Sequence, residues 1–117
     1  MQYVLLIHGD EVKMNAATPA GAGMSPDFTA YHEAMAKAGI IRSGERLRPT
    51  TDAVSVRVTG DKTEVLDGPY AETKEQLGGY YVIDVPDMDQ AIAWAARCPS
   101  ARNGTIEVRP VWPTRAQ

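Results

Sequence analysis

Cysteine is almost missing from this chain of 117 residues: Cys98 stands alone. That excludes an intrachain disulfide and a cysteine-built metal site. Placed before Pro99 at the end of a helical pattern, Cys98 reads as a small packing residue. Histidine is scarce too, with His8 and His32 the only two. Neither stands at a ligand spacing from a carboxylate, so no metal is expected. No apolar run approaches the ~20 residues that a membrane span needs. No positive leader or small-residue cleavage site marks the N-terminus, which suggests a cytoplasmic protein. Basic runs are also lacking: Arg42, Arg46 and Arg48 are interrupted by Glu45 and neutral residues. With a formal net charge of −3, this argues against a nucleic-acid partner. There is no phosphate-loop glycine pattern, no serine-nucleophile motif and no dinucleotide fingerprint. A nucleotide enzyme is therefore disfavoured, and no cofactor is expected.

What remains is ordinary globular material, 44% apolar and 23% charged. The length fits one domain, residues 1–117, able to bury about two-thirds of its unfolded surface. Tyr3 to His8 is rich in branched and aromatic residues and reads as a strand with two apolar faces. Residues 9 to 24 carry Gly9, Pro19, Gly21 and Gly23 and read as a long loop, a candidate lid. Ser25-Pro26-Asp27 is a helix start, with Phe28, Tyr31, Met35 and Ala38 on one stripe and Gly39 at the end. Ile40 to Leu47 reads as a strand. Ala53 to Val58 alternates, turns at Thr59-Gly60-Asp61-Lys62, and returns through Thr63 to Leu66 as a hairpin. Gly79 to Val85 is a further strand. Asp87 then caps a helix in capping-box fashion with Gln90, and Met88, Ala91, Ile92 and Ala95 form its stripe. Thr105 to Val111 is the last strand, and Trp112 to Gln117 shows no clear element.

With the hairpin set aside, the order is that of a doubled βαβ unit, the ferredoxin-like α+β fold. Two helices cover one face of such a sheet. Yet two of the strands are apolar on both faces, which calls for a second cover. The economical arrangement is a homodimer in which two sheets pack face to face.

The segment Asp67-Gly68-Pro69-Tyr70-Ala71-Glu72-Thr73-Lys74-Glu75-Gln76-Leu77-Gly78-Gly79-Tyr80 places a tight turn, four charges and a glycine pair between strands. It resembles the YCII-related proteins, in the subgroup marked by an Asp-Gly-Pro-Phe motif, with Tyr70 standing for Phe. Leu5 to Glu11, Ser43-Gly44-Glu45, Leu47 with Pro49, Ala91 to Ala95 and Gly104 to Val111 share the resemblance, which spans nearly the whole chain. It implies a bacterial protein forming a dimeric α+β barrel with an inserted hairpin. The superfamily includes small monooxygenases, lactone isomerases and haem enzymes, so fold alone chooses no activity. It also implies a link to extracytoplasmic-function sigma factors, and a histidine–aspartate pair whose histidine lies on the first helix. His32 is on that helix, nearer its C-terminal end.

The candidate catalytic residues are Asp67, Glu72, Glu75 and His32; Arg109, Lys74, Tyr80 and His8 are the candidate substrate contacts. Asp67 is a base or ligand anchor, or else the residue that holds the turn ending the hairpin. Glu72, Lys74 and Glu75 are pocket lining or dimer contacts. His32 and His8 are packing residues or members of the site. Glu107 and Arg109, two apart on one strand face, form an ion pair or a clamp for an anion. Two functions fit: a small-molecule binder with acid–base chemistry of the isomerase or lactone type, its ligand between sheet and helices, or a non-catalytic interaction module.

Overall fold

The structure, a computed structural model, describes residues 1–19, 21 and 23–114. Strand β1 (Gln2–Gly9) leads to helices α1 (Glu11–Ala17) and α2 (Pro26–Lys37), then to β2 (Ile41–Arg46). A hairpin of β3 (Val54–Thr59) and β4 (Lys62–Asp67) follows, then β5 (Gln76–Asp84), α3 (Met88–Arg97) and β6 (Thr105–Pro110). Strands β1, β2, β5 and β6 form one antiparallel sheet in the order β2-β5-β1-β6, and β3 and β4 form a second sheet by themselves. This is the ferredoxin-like α+β topology expected from the sequence, with the hairpin inserted before β5.

Each long helix begins where its cap lies. The Ser25 hydroxyl accepts from the Phe28 amide at 3.3 Å, and the Asp87 carboxylate from the Gln90 amide at 2.9 Å. Tyr31 and Met35 from α2, and Ala91 and Ala95 from α3, are buried against Tyr3, Leu5, Ile7, Tyr81 and Ile83 of the sheet. Cys98 belongs to the same core. Two expected stripe members lie outside it, since Ala38 and Ile92 are exposed. Tyr31 seals the core by donating its hydroxyl to the Trp94 carbonyl at 2.8 Å. The centre of the space between sheet and helices is thus taken up by side chains, and an open apolar hollow of about 250 Å³ remains at its margin, between α3 and β6, lined by Ile92, Ala95, Ala96, Ala101, Ile106 and Val108.

The stretch from residue 9 to 24 departs from expectation. Its first half is helix α1, with Asp10 as cap, accepting from the Lys13 amide at 3.1 Å. The breakers that suggest a loop flank the helix and do not interrupt it. Three contacts tie α1 down. Met14 packs against Gly9 and Gly78, where a Cβ would collide with its sulfur or methyl. Glu11 accepts from the Thr50 hydroxyl at 2.6 Å, and Arg46 donates to Asn15 and to the Thr18 carbonyl. A helix held this way is not a free lid. Ala20, Ala22 and the end of the tail, residues 115–117, lie outside the described residues.

The hairpin stands away from the body. All of β4 and nearly all of β3 are exposed. The radius of gyration is 16.0 Å, against about 13 Å for a compact chain of this length.

Candidate functional site

Alternation along β1 decides what the second sheet face carries. Tyr3, Leu5 and Ile7 point to the helices, so Val4, Leu6 and His8 point away from them. Strand register then fixes their neighbours. Val82 and Tyr80 of β5 stand opposite Val4 and Leu6, and Arg109, Glu107 and Thr105 of β6 stand opposite Val4, Leu6 and His8. On the far side, Ser43 and Glu45 of β2 pair with Val82 and Tyr80. The face away from the helices therefore has an apolar middle, Val4, Leu6, Tyr80 and Val82, between two polar edges.

The edge along β6 carries a chain of polar contacts. His8 Nε2 lies 3.1 Å from Glu107 Oε1. This is a diagonal cross-strand contact, since the direct partner of His8 is Thr105. The other oxygen, Glu107 Oε2, lies 3.8 Å from Arg109 Nε. At the opposite end, the Thr105 hydroxyl donates to Glu75 Oε1 at 2.8 Å. Glu75, Thr105, His8, Glu107 and Arg109 thus form one polar strip. The Arg109 side chain is 70% exposed, so its pairing with Glu107 adds little stability. Its two terminal nitrogens have no hydrogen-bond partner among the described residues, which leaves a planar fork open to a carboxylate.

The expected site residues divide into separate groups. His8, Glu75, Tyr80 and Arg109 share the sheet face just described or its margin. His32 does not: it stacks 6.1 Å from Tyr81, whose ring belongs to the core on the helix side. The sheet lies between the two histidines. Asp67 is at the end of β4 opposite Val54, exposed on the hairpin, and Glu72 and Lys74 are exposed in the segment that leads to β5. Of the four catalytic candidates, His32 is thus on the helix side of the sheet, Asp67 on the hairpin, and Glu72 and Glu75 in the segment between β4 and β5.

Asp67-Gly68-Pro69 does end the hairpin, with Gly68 at φ +101°, a conformation suited to glycine. The bonds that hold the turn come from elsewhere than the Asp67 carboxylate: the Gly68 amide donates to the Ala53 carbonyl at 2.7 Å, and the Ser55 hydroxyl to the Gly68 carbonyl at 3.0 Å. Thr105 and Glu11 were not among the candidates. Thr105 was accessible from register, because a strand pairing that places Glu107 beside Leu6 must place Thr105 beside His8.

Burial is the largest cause of the raised pKa values in the core, Tyr31, Tyr81 and Cys98. Desolvation raises the Tyr31 phenol and the Cys98 thiol above their usual ranges, so both stay protonated in the core. Asp84 is held below the usual carboxylate range, first by its hydrogen bond from the N-terminal amine at 2.9 Å and then by Arg42. Among the described residues, no three His, Cys, Asp or Glu side chains gather as metal ligands, and no helix is long and apolar enough to cross a membrane.

An antiparallel sheet with helices on one face and an apolar, polar-edged surface on the other defines a ferredoxin-like α+β protein. Within that class the chain belongs to the YCII-related family, whose YCII-related domain matches residues 1–115. It is similar to an uncharacterized protein of Rhizobium meliloti (strain 1021), 37% identical over 114 residues, which cover 95% of this chain and 92% of that relative.

Proposed function

We propose that this protein, a member of the Asp-Gly-Pro-Phe subgroup, acts in the cytoplasm as a homodimer whose sheets meet face to face. In this reading it binds a small organic acid at the polar edge of the shared interface. The observation that carries the proposal is the strip from Glu75 to Arg109 beside the apolar stripe of Val4, Leu6, Tyr80 and Val82. An apolar centre with a polar rim is the anatomy of a protein interface. A second sheet laid over it removes water from His8 and Glu107 while leaving the Arg109 fork at the margin. Arg109 then holds the ligand carboxylate, and His8, oriented by Glu107, is placed to move a proton. That chemistry suits an isomerase or lactone rearrangement. Tyr80 supplies a wall, and Glu75 fixes Thr105 at the opposite end.

Native mass spectrometry of protein purified from cells, followed by denaturation of the same sample, tests this. The expected mass exceeds two chains, and the excess is lost on denaturation. A bare dimer that gains no ligand from a set of small carboxylates, and shows no thermal shift with any, refutes the binding role.

The competing reading is a non-catalytic interaction module, linked to extracytoplasmic-function sigma factors. The observation in its favour is the exposure of the motif: Tyr70 is 84% exposed, with the Arg57 guanidinium 6.0 Å from its ring centre. Substitution of Tyr70 separates the two, since it leaves carboxylate binding intact in the first reading.

A further inference from the structure

The hairpin of β3 and β4 presents a second apolar surface that the body of the protein does not cover. Cross-strand register puts Val54, Val56, Val58 and Val65 on one face, where Val56 stands opposite Val65, with Thr63 and Asp67 opposite Val58 and Val54. All four are between 59% and 63% exposed. The opposite face carries Ser55, Arg57, Thr59, Lys62 and Glu64, with Leu66 as its one apolar residue, and is the more polar of the two. An isolated two-stranded hairpin is marginal in water. An apolar one with both edges open is also a template for aggregation. A hairpin with this amphipathic pattern therefore needs a partner surface on its valine face.

We infer that the hairpin is an arm whose valine face packs on a second copy of this chain, flanking the sheet-to-sheet contact. This rests on the dimer proposed above and extends it. Area supports the choice of a second copy. The four strands of the sheet, six to nine residues long, pair over enough of their length to make a face of about 20 by 20 Å, or about 400 Å². A stable interface buries about 800 Å² on each partner. The sheet face alone supplies half. The arm adds about 200 Å² by its own two strands, and in a two-fold dimer each copy also receives an arm. One isologous association thus covers both apolar surfaces and reaches the required area, whereas an unrelated partner on the arm leaves the sheet face short.

The test uses the full chain. In the double variant Val56→Lys, Val58→Lys, the dimer dissociation constant measured by sedimentation equilibrium should rise by about a hundredfold or more. The far-ultraviolet circular dichroism should be retained, because neither residue belongs to the core. Hydrogen exchange on the unaltered protein supplies a measurement free of substitution. Amides of residues 54–67 should be protected well above the dissociation constant and exchange freely well below it. An unchanged dissociation constant in the variant, or exchange in the arm independent of concentration, overturns the arm contact and leaves the sheet dimer standing. An unaltered chain that stays monomeric at all concentrations overturns both.

Discussion

Glu107 faces His8 with one carboxylate oxygen and Arg109 with the other, so a single side chain organises the polar strip. Arg109 is the member whose loss should be felt in binding alone. Arg109→Ala should weaken binding of a small carboxylate by about tenfold to a hundredfold, the worth of a hydrogen bond to a charged group. The same change should leave unfolding free energy within about 0.5 kcal/mol, as for other exposed substitutions. Paired calorimetric titration and urea denaturation check both halves. Titration of the core follows a separate logic. Cys98 and Tyr31 have raised pKa values in the folded state, because burial disfavours their charged forms. The unfolded chain therefore releases these protons first as pH rises, and stability is full below the usual thiol range and lost above it. Cys98→Ala should flatten that alkaline decline in urea denaturation measured across alkaline pH. Asp84 has the opposite sign. Its lowered pKa adds stability above the usual carboxylate range, lost as pH falls through the folded value. The stability difference between the unaltered protein and Asp84→Asn should thus vanish in acid.

At the scale of elements, local chemistry settles where the helices begin. Ser25→Ala and Asp87→Ala should each cost about 1 kcal/mol of stability, measured by denaturant unfolding, as for other lost caps. The start of β6 is set by a different constraint, because a Cβ at Gly104 would run into the backbone carbonyl of His8. Gly104→Ala should cost more than either cap, since a main-chain atom must move. Most of these elements could be read from the chain. Ser25-Pro26 and Asp87 with Gln90 are strong starts, and alternation marked the hairpin and the last strand. Helix α1 was hidden because it is only seven residues long, follows Gly9 directly after its cap Asp10, and has anchors, Gly78 and Thr50, that are distant in sequence. The candidate site was legible in part. His8, Glu107 and Arg109 followed from period-two alternation once their strands were placed. His32 was misjoined to them because sequence spacing does not say which side of a sheet a helix covers.

For the whole molecule, the proposed dimer accounts for two apolar surfaces and one polar strip at once. The helix-side core is full, with Leu5, Met35 and Ile83 at no more than 1% exposure, so the protomer's fold does not depend on the dimer for its centre. That separates folding from assembly and makes the latter testable by one substitution. Leu6 lies on the face away from the helices, half-buried in the middle of the apolar stripe. Sedimentation equilibrium of the unaltered protein beside Leu6→Asp is the most direct measurement. The unaltered chain of 12.7 kDa should sediment at twice that mass, and the variant at one chain with its circular dichroism retained. An unaltered protein that sediments as a single chain, or a Leu6→Asp dimer as tight as the original, contradicts the account.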